Sequence, residues 1–464
     1  MALISIRAVT NLLSPAQYGE LSILITVQAL CGLIFVNPVG QYINLRTHSW
    51  WEDRTLVARL RSYSNYLVLV SAIGFFITMR LAVLHTPASI FWSGGIMFAM
   101  VYGGTWNATL VSLLNMLGFR GASVVLSITT VATGLVCSIG LVRVMPSAEA
   151  WFAGQAFGMF CGAIGAVFFL GKRAPAEALA LKRLPLLEKK IIRTYCLPLA
   201  IATGFMWLQL NGYRLVIERY WGLAQLGFLT IGFQLASQIW ALTETMSMQF
   251  LTPLFYKRAS DNTNEAEIEQ AFSDLINTLL PVYLVITGLL VFSAPYMLNL
   301  LVAEKFRGAI LPVMLGAAIE LCRVLGNLLT NAAHVKRKTK SLSFPYAAGS
   351  LTAVLLIFFA GKLSMSVDWA GAALVFGAMV MLASMLFSMY KQVKFTLDAQ
   401  RCLIGCAFTV GMLLLRLVMP KFTGVFVSFC TMSVAGLIAL GVLLGVLWNN
   451  PATTRLINVR LRGE

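Results

Sequence analysis

The sequence predicts an all-α membrane protein, a polytopic bundle of about fourteen transmembrane helices, and three observations predict it. Of its 464 residues 59% are hydrophobic and 11% charged, with a mean hydropathy of +0.81, whereas soluble domains run at ~45–50% apolar and ~25% charged. Apolar stretches recur from end to end, each long enough as a helix to cross ~30 Å of hydrocarbon. Basic residues fall mainly in alternate loops, as in a chain that crosses a membrane repeatedly. The apolar runs are unbroken rather than alternating, which argues against a β-barrel.

Taken in order, the first residues, MALISIRAVTNLL, read as a short tilted or truncated first helix. They carry no basic n-region and cleavage site of a signal peptide. After the turn LSPAQYG comes a span at 20 to 44, and beyond a loop with Arg46, Arg54, Arg59 and Arg61 come spans at 62 to 84 and 90 to 118. Arg120 precedes the span at 121 to 142, and a span at 150 to 171 closes an N-terminal helix bundle over residues 1–171. Residues 172–193, KRAPAEALALKRLPLLEKKIIR, form a basic amphipathic linker, expected to lie along an anionic leaflet. A second six-helix bundle over 194–390 holds spans at 194 to 217, 223 to 250, 272 to 302, 309 to 333, 342 to 363 and 366 to 390. Within it RASDNTNEAEIEQAF is a solvated helix start that Asn264 or Thr263 caps. An extra helix pair, at 402 to 419 and 423 to 448, lies in residues 391–448, and 449–464 is a tail.

Of 35 Lys and Arg, 24 lie in one set of alternate loops, from Arg46 through the linker to Arg462. The opposite ends hold seven: Arg80, Arg143, Arg219, Lys305, Arg307, Lys362 and Lys421. The rich side is cytoplasmic by the positive-inside rule, and the alternation holds throughout only if the short first helix counts as a span. Both termini are then cytoplasmic. The net charge of +17 reflects that topology rather than nucleic-acid binding, since no aromatic-interleaved basic domain exists. The eight cysteines lie in or beside spans, none as CxxC, and read as small core residues rather than metal or redox groups.

The pattern A-Q-x-G-x-L occurs twice, at Ala16 to Leu21 and Ala224 to Leu229, an offset of 208 residues. Arg7 stands 12 residues before Gly19 and Arg214 stands 13 before Gly227, so motif, arginine and topological position recur together. This is the signature of an internal repeat whose halves run in the same direction. A glycine needed only for tight packing at a helix corner would account for the motif taken alone.

Over LLSPAQYGELSILITVQALCGLIFVNPVGQYINLRT the chain resembles the polysaccharide flippases, the Wzx-type (O-antigen and exopolysaccharide) exporters of the multidrug/oligosaccharidyl-lipid/polysaccharide (MOP) superfamily. The matching residues are Leu13, Ser14, Pro15, Tyr18 and Gly19, echoed by Gly227; Asn11 stands where the family often has arginine, with Arg7 one turn earlier. The resemblance implies a bacterial inner-membrane flippase that moves an undecaprenyl-diphosphate-linked oligosaccharide to the outer leaflet by alternating access. It also implies a polysaccharide polymerase and a chain-length regulator as protein partners, in polysaccharide or lipopolysaccharide O-antigen biosynthesis.

Four arginines fall within spans, Arg7, Arg214, Arg323 and Arg416. Each costs ~2.5–3.5 kcal/mol at a helix centre unless it meets a wet cavity or a partner. In the span at 309 to 333 and its end, Glu320, Arg323, Asn327, Asn331 and His334 fall in a sector of about 80° at 100° per residue. The stripe reads as cavity-lining, although Glu320 and Arg323 could equally pair with one another. The span at 223 to 250 aligns Thr230, Gln234, Ser237, Gln238, Glu244 and Thr245; that at 194 to 217 aligns Thr203, Trp207, Asn211, Arg214 and Glu218. Thr26, Asn37, Gln41 and Asn44 also align, which interhelical hydrogen bonding explains by itself.

The substrate-binding candidates are thus Arg7, Asn11, Trp207, Asn211, Arg214, Gln234, Gln238, Arg323, Asn327 and Asn331. Guanidinium forks suit a diphosphate and amides suit sugar hydroxyls. No cofactor or metal is called for; Glu218, Glu244 and Glu320 are the candidates for coupling to a H+ or Na+ gradient. Three histidines, His48, His85 and His334, no phosphate-binding loop and short external loops speak against an enzyme. The alternatives are a cation-coupled multidrug antiporter of the same superfamily, a polytopic membrane glycan-assembly enzyme and a purely structural scaffold. The antiporter is disfavoured by the scarcity of carboxylates in the N-terminal spans.

Overall fold

A computed structural model describes residues 2–82, 90–174, 184–186, 189–261, 264–336, 338–420, 424–448 and 450–455. The chain divides into two compact units, residues 3–215 and 216–464. The elements of unit 1 are α1 (Ala2–Leu12), α2 (Pro15–Glu52), α3 (Leu56–Ala82), α4 (Ile90–Met116), α5 (Arg120–Val144), α6 (Ala148–Arg173) and the first part of α7 (189–221). Unit 2 continues α7 and holds α8 (223–250), α9 (Thr252–Asp261), α10 (Glu265–Leu301), α11 (Ile310–Val335), α12 (Ser343–Lys362), α13 (Val367–Tyr390), α14 (Ala399–Val418) and α15 (Val425–Leu447). Twelve stretches of the described residues are long and apolar enough to cross a membrane. One of them, Ile192–Ala259, is bent at Gly222 and takes in α8 and most of α7 and α9. The result is the polytopic helical bundle expected, opened by a short first helix.

The corner between α1 and α2 follows from Ser14-Pro15-Ala16-Gln17. Pro15 occupies the first turn, where no N–H is needed. Ser14 Oγ accepts from the Gln17 N–H at 3.3 Å and Gln17 Oε1 accepts from the Ser14 N–H at 2.8 Å, the two reciprocal bonds of a capping box. The corner that precedes the second A-Q-x-G-x-L is made otherwise, by Gly222 at φ 79°, ψ 172°, a conformation essentially confined to glycine. The glycines of the recurring motif, Gly19 and Gly227, are not the corners. Each lies inside a helix, because the cap and the kink already turn the chain.

Within α2, residues Cys31–Val36 widen into a π-turn just before Pro38, whose ring cannot complete the helical ladder. The loosened carbonyls are used: Phe35 O accepts from Tyr66 Oη at 2.8 Å and Leu33 O from Thr203 Oγ1 at 2.7 Å. On the opposite wall, Gly154, Gly158 and Gly162 of α6 form a stripe at four-residue spacing. A Cβ on any of them would collide with α5: at Gly154 with Ser138, at Gly158 with the backbone of Gly134 and Thr130, at Gly162 with Thr130. Backbone-to-backbone packing of this kind is how helices associate where water cannot drive them together. Tyr63, Leu67, Leu110, Leu113, Leu170 and Trp50 fill the core between α2, α3, α4 and α6.

In unit 2 the axis is α10, 72% of whose apolar window is buried, against 17% for α14 and α15. Asn264 caps it, its Oδ1 accepting from the Ala266 N–H at 3.1 Å; Thr263 lies outside the described residues. Pro281 cannot donate to Asn277 O, one turn back, and that carbonyl takes a bond from Asn450 Nδ2 at 3.3 Å. Residues 450–455 dock here. Arg455 Nη2 reaches the fully buried Asp274 at 2.6 Å, and Arg258 of α9 reaches the same carboxylate at 2.8 Å. These bonds hold the Arg455 guanidinium above its ordinary pKa.

Of the linker, residues 175–183 and 187–188, and of the tail 449 and 456–464, lie outside the described residues. Leu184 and Pro185 are fastened to α3: Ser62 Oγ donates to Leu184 O at 2.6 Å and Arg59 Nη1 to Pro185 O at 2.9 Å. The cysteines divide. Cys31, Cys196 and Cys322 are buried as expected, while Cys406 and Cys430 are exposed on the outer, apolar faces of α14 and α15, where a small apolar side chain serves equally well.

Candidate functional site

The polar stripe of α11 meets α8 in unit 2. Arg323 Nε donates to Glu320 Oε2 at 2.6 Å, and its Nη2 to Glu244 Oε2 at 3.0 Å. Asn327 Nδ2 occupies the other oxygen of Glu244 at 2.7 Å, and Tyr346 of α12 closes on Asn327 Oδ1 at 3.5 Å. One turn further on, Tyr256 Oη donates to Asn331 Oδ1 at 2.9 Å. The side chains of Glu244, Glu320 and Arg323 are 14–22% exposed. Three charged groups therefore share one largely buried place, two carboxylates around one guanidinium, with one net negative charge when all are ionised.

Of the two readings of the α11 stripe, the structure shows the pairing and extends it to a second helix. Glu320 pairs with Arg323, but Arg323 also binds Glu244, 79 residues earlier. A guanidinium shared by two carboxylates sits where the local charge is net negative, which disfavours a phosphate beside it. Tyr256, Tyr346 and Asp274 were not singled out by the spacing argument. Tyr346 is the sole phenol between 342 and 363, a signal that could have found it; Tyr256 lies outside the predicted spans.

On α8 the hydroxyls turn back on their own helix: Thr230 to Leu226 O, Ser237 to Gln234 O and Thr245 to Ala241 O, all within 3.0 Å. That satisfies them without a neighbour, leaving Glu244 as the member that reaches out. Gln234 is engaged and Glu218, on the 216–221 end of α7, likewise; Gln238 is half-buried.

In unit 1 the α7 candidates separate by role. Cys196 Sγ, Thr203 Oγ1 and Trp207 Nε1, at i, i+7 and i+11, donate to the α2 carbonyls of Pro38, Leu33 and Thr26. Trp207 thus fastens α7 to α2, its indole N–H used at 3.0 Å. Arg214 stacks beside Tyr213, its Cζ 5.8 Å from the ring centroid, and Asn211 is half-buried one turn before it. Arg7 and Asn11 of α1 both have partners. Arg416 is spent locally on Met419 O at 3.1 Å, at the end of α14. One carboxyl pair lies outside the helical stripes: Glu149, in the first turn of α6, accepts from Ser93 Oγ at 3.1 Å and lies close to Glu20 of α2. Glu149 lies just outside the span at 150 to 171, and only the packing of α6 against α2 brings it to Glu20.

No protein-family model matches the chain, and no curated protein matches it in sequence. Among solved structures, the chain is similar to one described as lipid II flippase MurJ in an inward closed conformation. The TM-score is 0.69 at 12% identity, over 96% of this chain and 94% of that one. A structure described as a multidrug resistance MATE family transporter of the MOP superfamily, outward-facing, is similar over 89% of this chain and 96% of that one, at 11% identity and a TM-score of 0.41. The chain thus shares the fold of a multi-pass membrane flippase over nearly its whole length.

Proposed function

We propose that the chain is a flippase that carries a lipid-linked oligosaccharide, with undecaprenyl diphosphate as carrier, to the outer leaflet of a bacterial inner membrane by alternating access, for assembly of a surface polysaccharide. The observation that carries this reading is the fold shared with a lipid II flippase over 96% of the chain; the Leu13-Ser14-Pro15 corner, with its resemblance to the polysaccharide flippases, supports it. In this reading the termini are cytoplasmic and a polymerase and chain-length regulator act downstream.

The roles divide by charge. Arg7 and Arg214 are the guanidinium groups offered to the diphosphate, with Asn11 and Asn211 beside them for sugar hydroxyls. Arg323, already shared between Glu320 and Glu244, belongs instead with those carboxylates to coupling: a cation or proton taken up there would compete with the guanidinium for the same oxygens. The cation-coupled antiporter stays as a second reading on one specific observation, the Glu20–Glu149 pair in the first unit.

The test is the sidedness of undecaprenyl-diphosphate-linked oligosaccharide in cells with and without the protein. Accumulation on the cytoplasmic leaflet on deletion, reproduced by Arg214→Ala, is the expected result. Unchanged sidedness together with altered sensitivity to cationic drugs would move the assignment to the antiporter.

A further inference from the structure

Where α4 turns into α5, the surface of unit 1 opens into a groove of about 520 Å³, whose walls include Phe119, Gly121, Val125, Leu126 and Phe168. This lies within the ~300–1,000 Å³ of ligand sites. The missing side chain at Gly121 helps to hollow it, since a Cβ there would meet nothing within 4 Å. The groove belongs to the outer face of the bundle. Val124, Val125, Ile128, Ile164, Val167 and Phe168 around it are all more than half exposed, the composition of a surface solvated by acyl chains rather than by water.

One end of this apolar groove is cationic. Arg120 lines it. Arg173 Cζ lies 5.8 Å from the Phe119 ring and 5.7 Å from the Phe169 ring, and Lys172 Nζ lies 4.2 Å from that of Phe168. Among the described residues no carboxylate pairs with any of the three. Arg120 also opens α5 without a side-chain cap, so its charge faces the positive end of the helix, an arrangement unfavourable until an anion joins it. Stacking on aromatic faces holds Arg173 and Lys172 extended at the rim while leaving their N–H groups free to donate.

We propose that this groove binds one anionic phospholipid, its phosphate held by Arg120, Lys172 and Arg173 and an acyl chain lying over Val125, Leu126 and Phe168. Charge complementarity selects the occupant. Three cations that pair with no carboxylate among the described residues favour a negative headgroup, and the apolar wall that runs on from them favours a tail on the same molecule. A zwitterionic lipid supplies the tail but offsets its phosphate with its own cation, so it fills the groove without being preferred.

The probe is phosphatidylglycerol against phosphatidylcholine with matched acyl chains, titrated onto the detergent-solubilised full chain and read by native mass spectrometry. The wild type is expected to retain one tightly held phosphatidylglycerol in excess of phosphatidylcholine. Arg120→Gln, which breaks no hydrogen bond or ion pair among the described residues, lowers that retention roughly fivefold, and adding Arg173→Gln lowers it again by about the same factor. Gly121→Leu, built into open space, removes the retained lipid without changing the unfolding temperature. Equal retention of the two lipids by the wild type, or a phosphatidylglycerol preference unmoved by both arginine variants, overturns the proposal. So does a protein that purifies as a dimer and becomes monomeric with Gly121→Leu, which would make a second copy of the chain the occupant.

Discussion

Arg323 is held where it is by two carboxylates, one on its own helix and one from α8. Glu320 gives it an i,i+3 partner at 2.6 Å, and Glu244 neutralises the other side of the guanidinium at 3.0 Å. With both replaced by glutamine the guanidinium is left as an unpaired charge at membrane depth. Glu244→Gln/Glu320→Gln is therefore expected to lose roughly 2–3 kcal/mol of stability in denaturant unfolding, and adding Arg323→Gln should restore most of it, because the buried charge leaves with its partners. Each single glutamine variant should also change the pH profile of transport; a profile unmoved by both would remove this cluster from coupling. The face on which Glu320, Arg323 and Asn327 lie was legible in the sequence, because helical spacing alone sets it. The presence of Glu244 against that face was not, because periodicity says which residues share a side of one helix and nothing about which two sides meet.

At the scale of the element, helices in this chain are joined through what their backbones leave open. The π-turn of α2 offers Leu33 and Phe35 carbonyls to Thr203 and Tyr66, and Pro281 offers that of Asn277 to Asn450. The α5–α6 seam depends on missing side chains. Gly158→Ala would drive a Cβ into the backbone of Gly134 and Thr130, and is expected to cost at least ~1–3 kcal/mol in unfolding experiments. Gly140→Ala on α5, where a Cβ meets nothing within 4 Å, should stay within ~0.5 kcal/mol. The existence of nearly every helix was legible from apolar length, whereas α2 and α10 overrun their predicted spans at both ends or at the first. Hydropathy marks only the part that sits in hydrocarbon, while Pro15-to-Glu52 and Glu265-to-Leu301 continue as helix into polar sequence that caps and salt bridges support. The corner at Ser14 could be read as a capping box from S-x-x-Q; the one at Gly222 carries no such signature.

For the molecule as a whole, residues 450–455 close onto the axis of unit 2 through the Asp274 carboxylate, beside the lesser bonds of Asn450 to Asn277 O and of Thr453 to Thr278. Asp274 is fully buried and accepts from Arg258, Gln270 and Arg455, so α9, α10 and the end of the described chain converge on it. Asp274→Ala is expected to lower stability by about 1–3 kcal/mol, tempered by the partial exposure of Arg455, and to make the 450–455 segment accessible to limited proteolysis; a segment still protected in the variant would count against this anchoring.

The glycine seam has a consequence in terms of heredity. Glycine has no smaller substitute, so every missense change at Gly154, Gly158 or Gly162 adds an atom to a space already filled by the neighbouring helix. A few residues along the same helix, Ile164 and Val167 face outward and can exchange among apolar residues at little cost. Along α6, then, a lineage is free to drift on one side and has nowhere to go on the other.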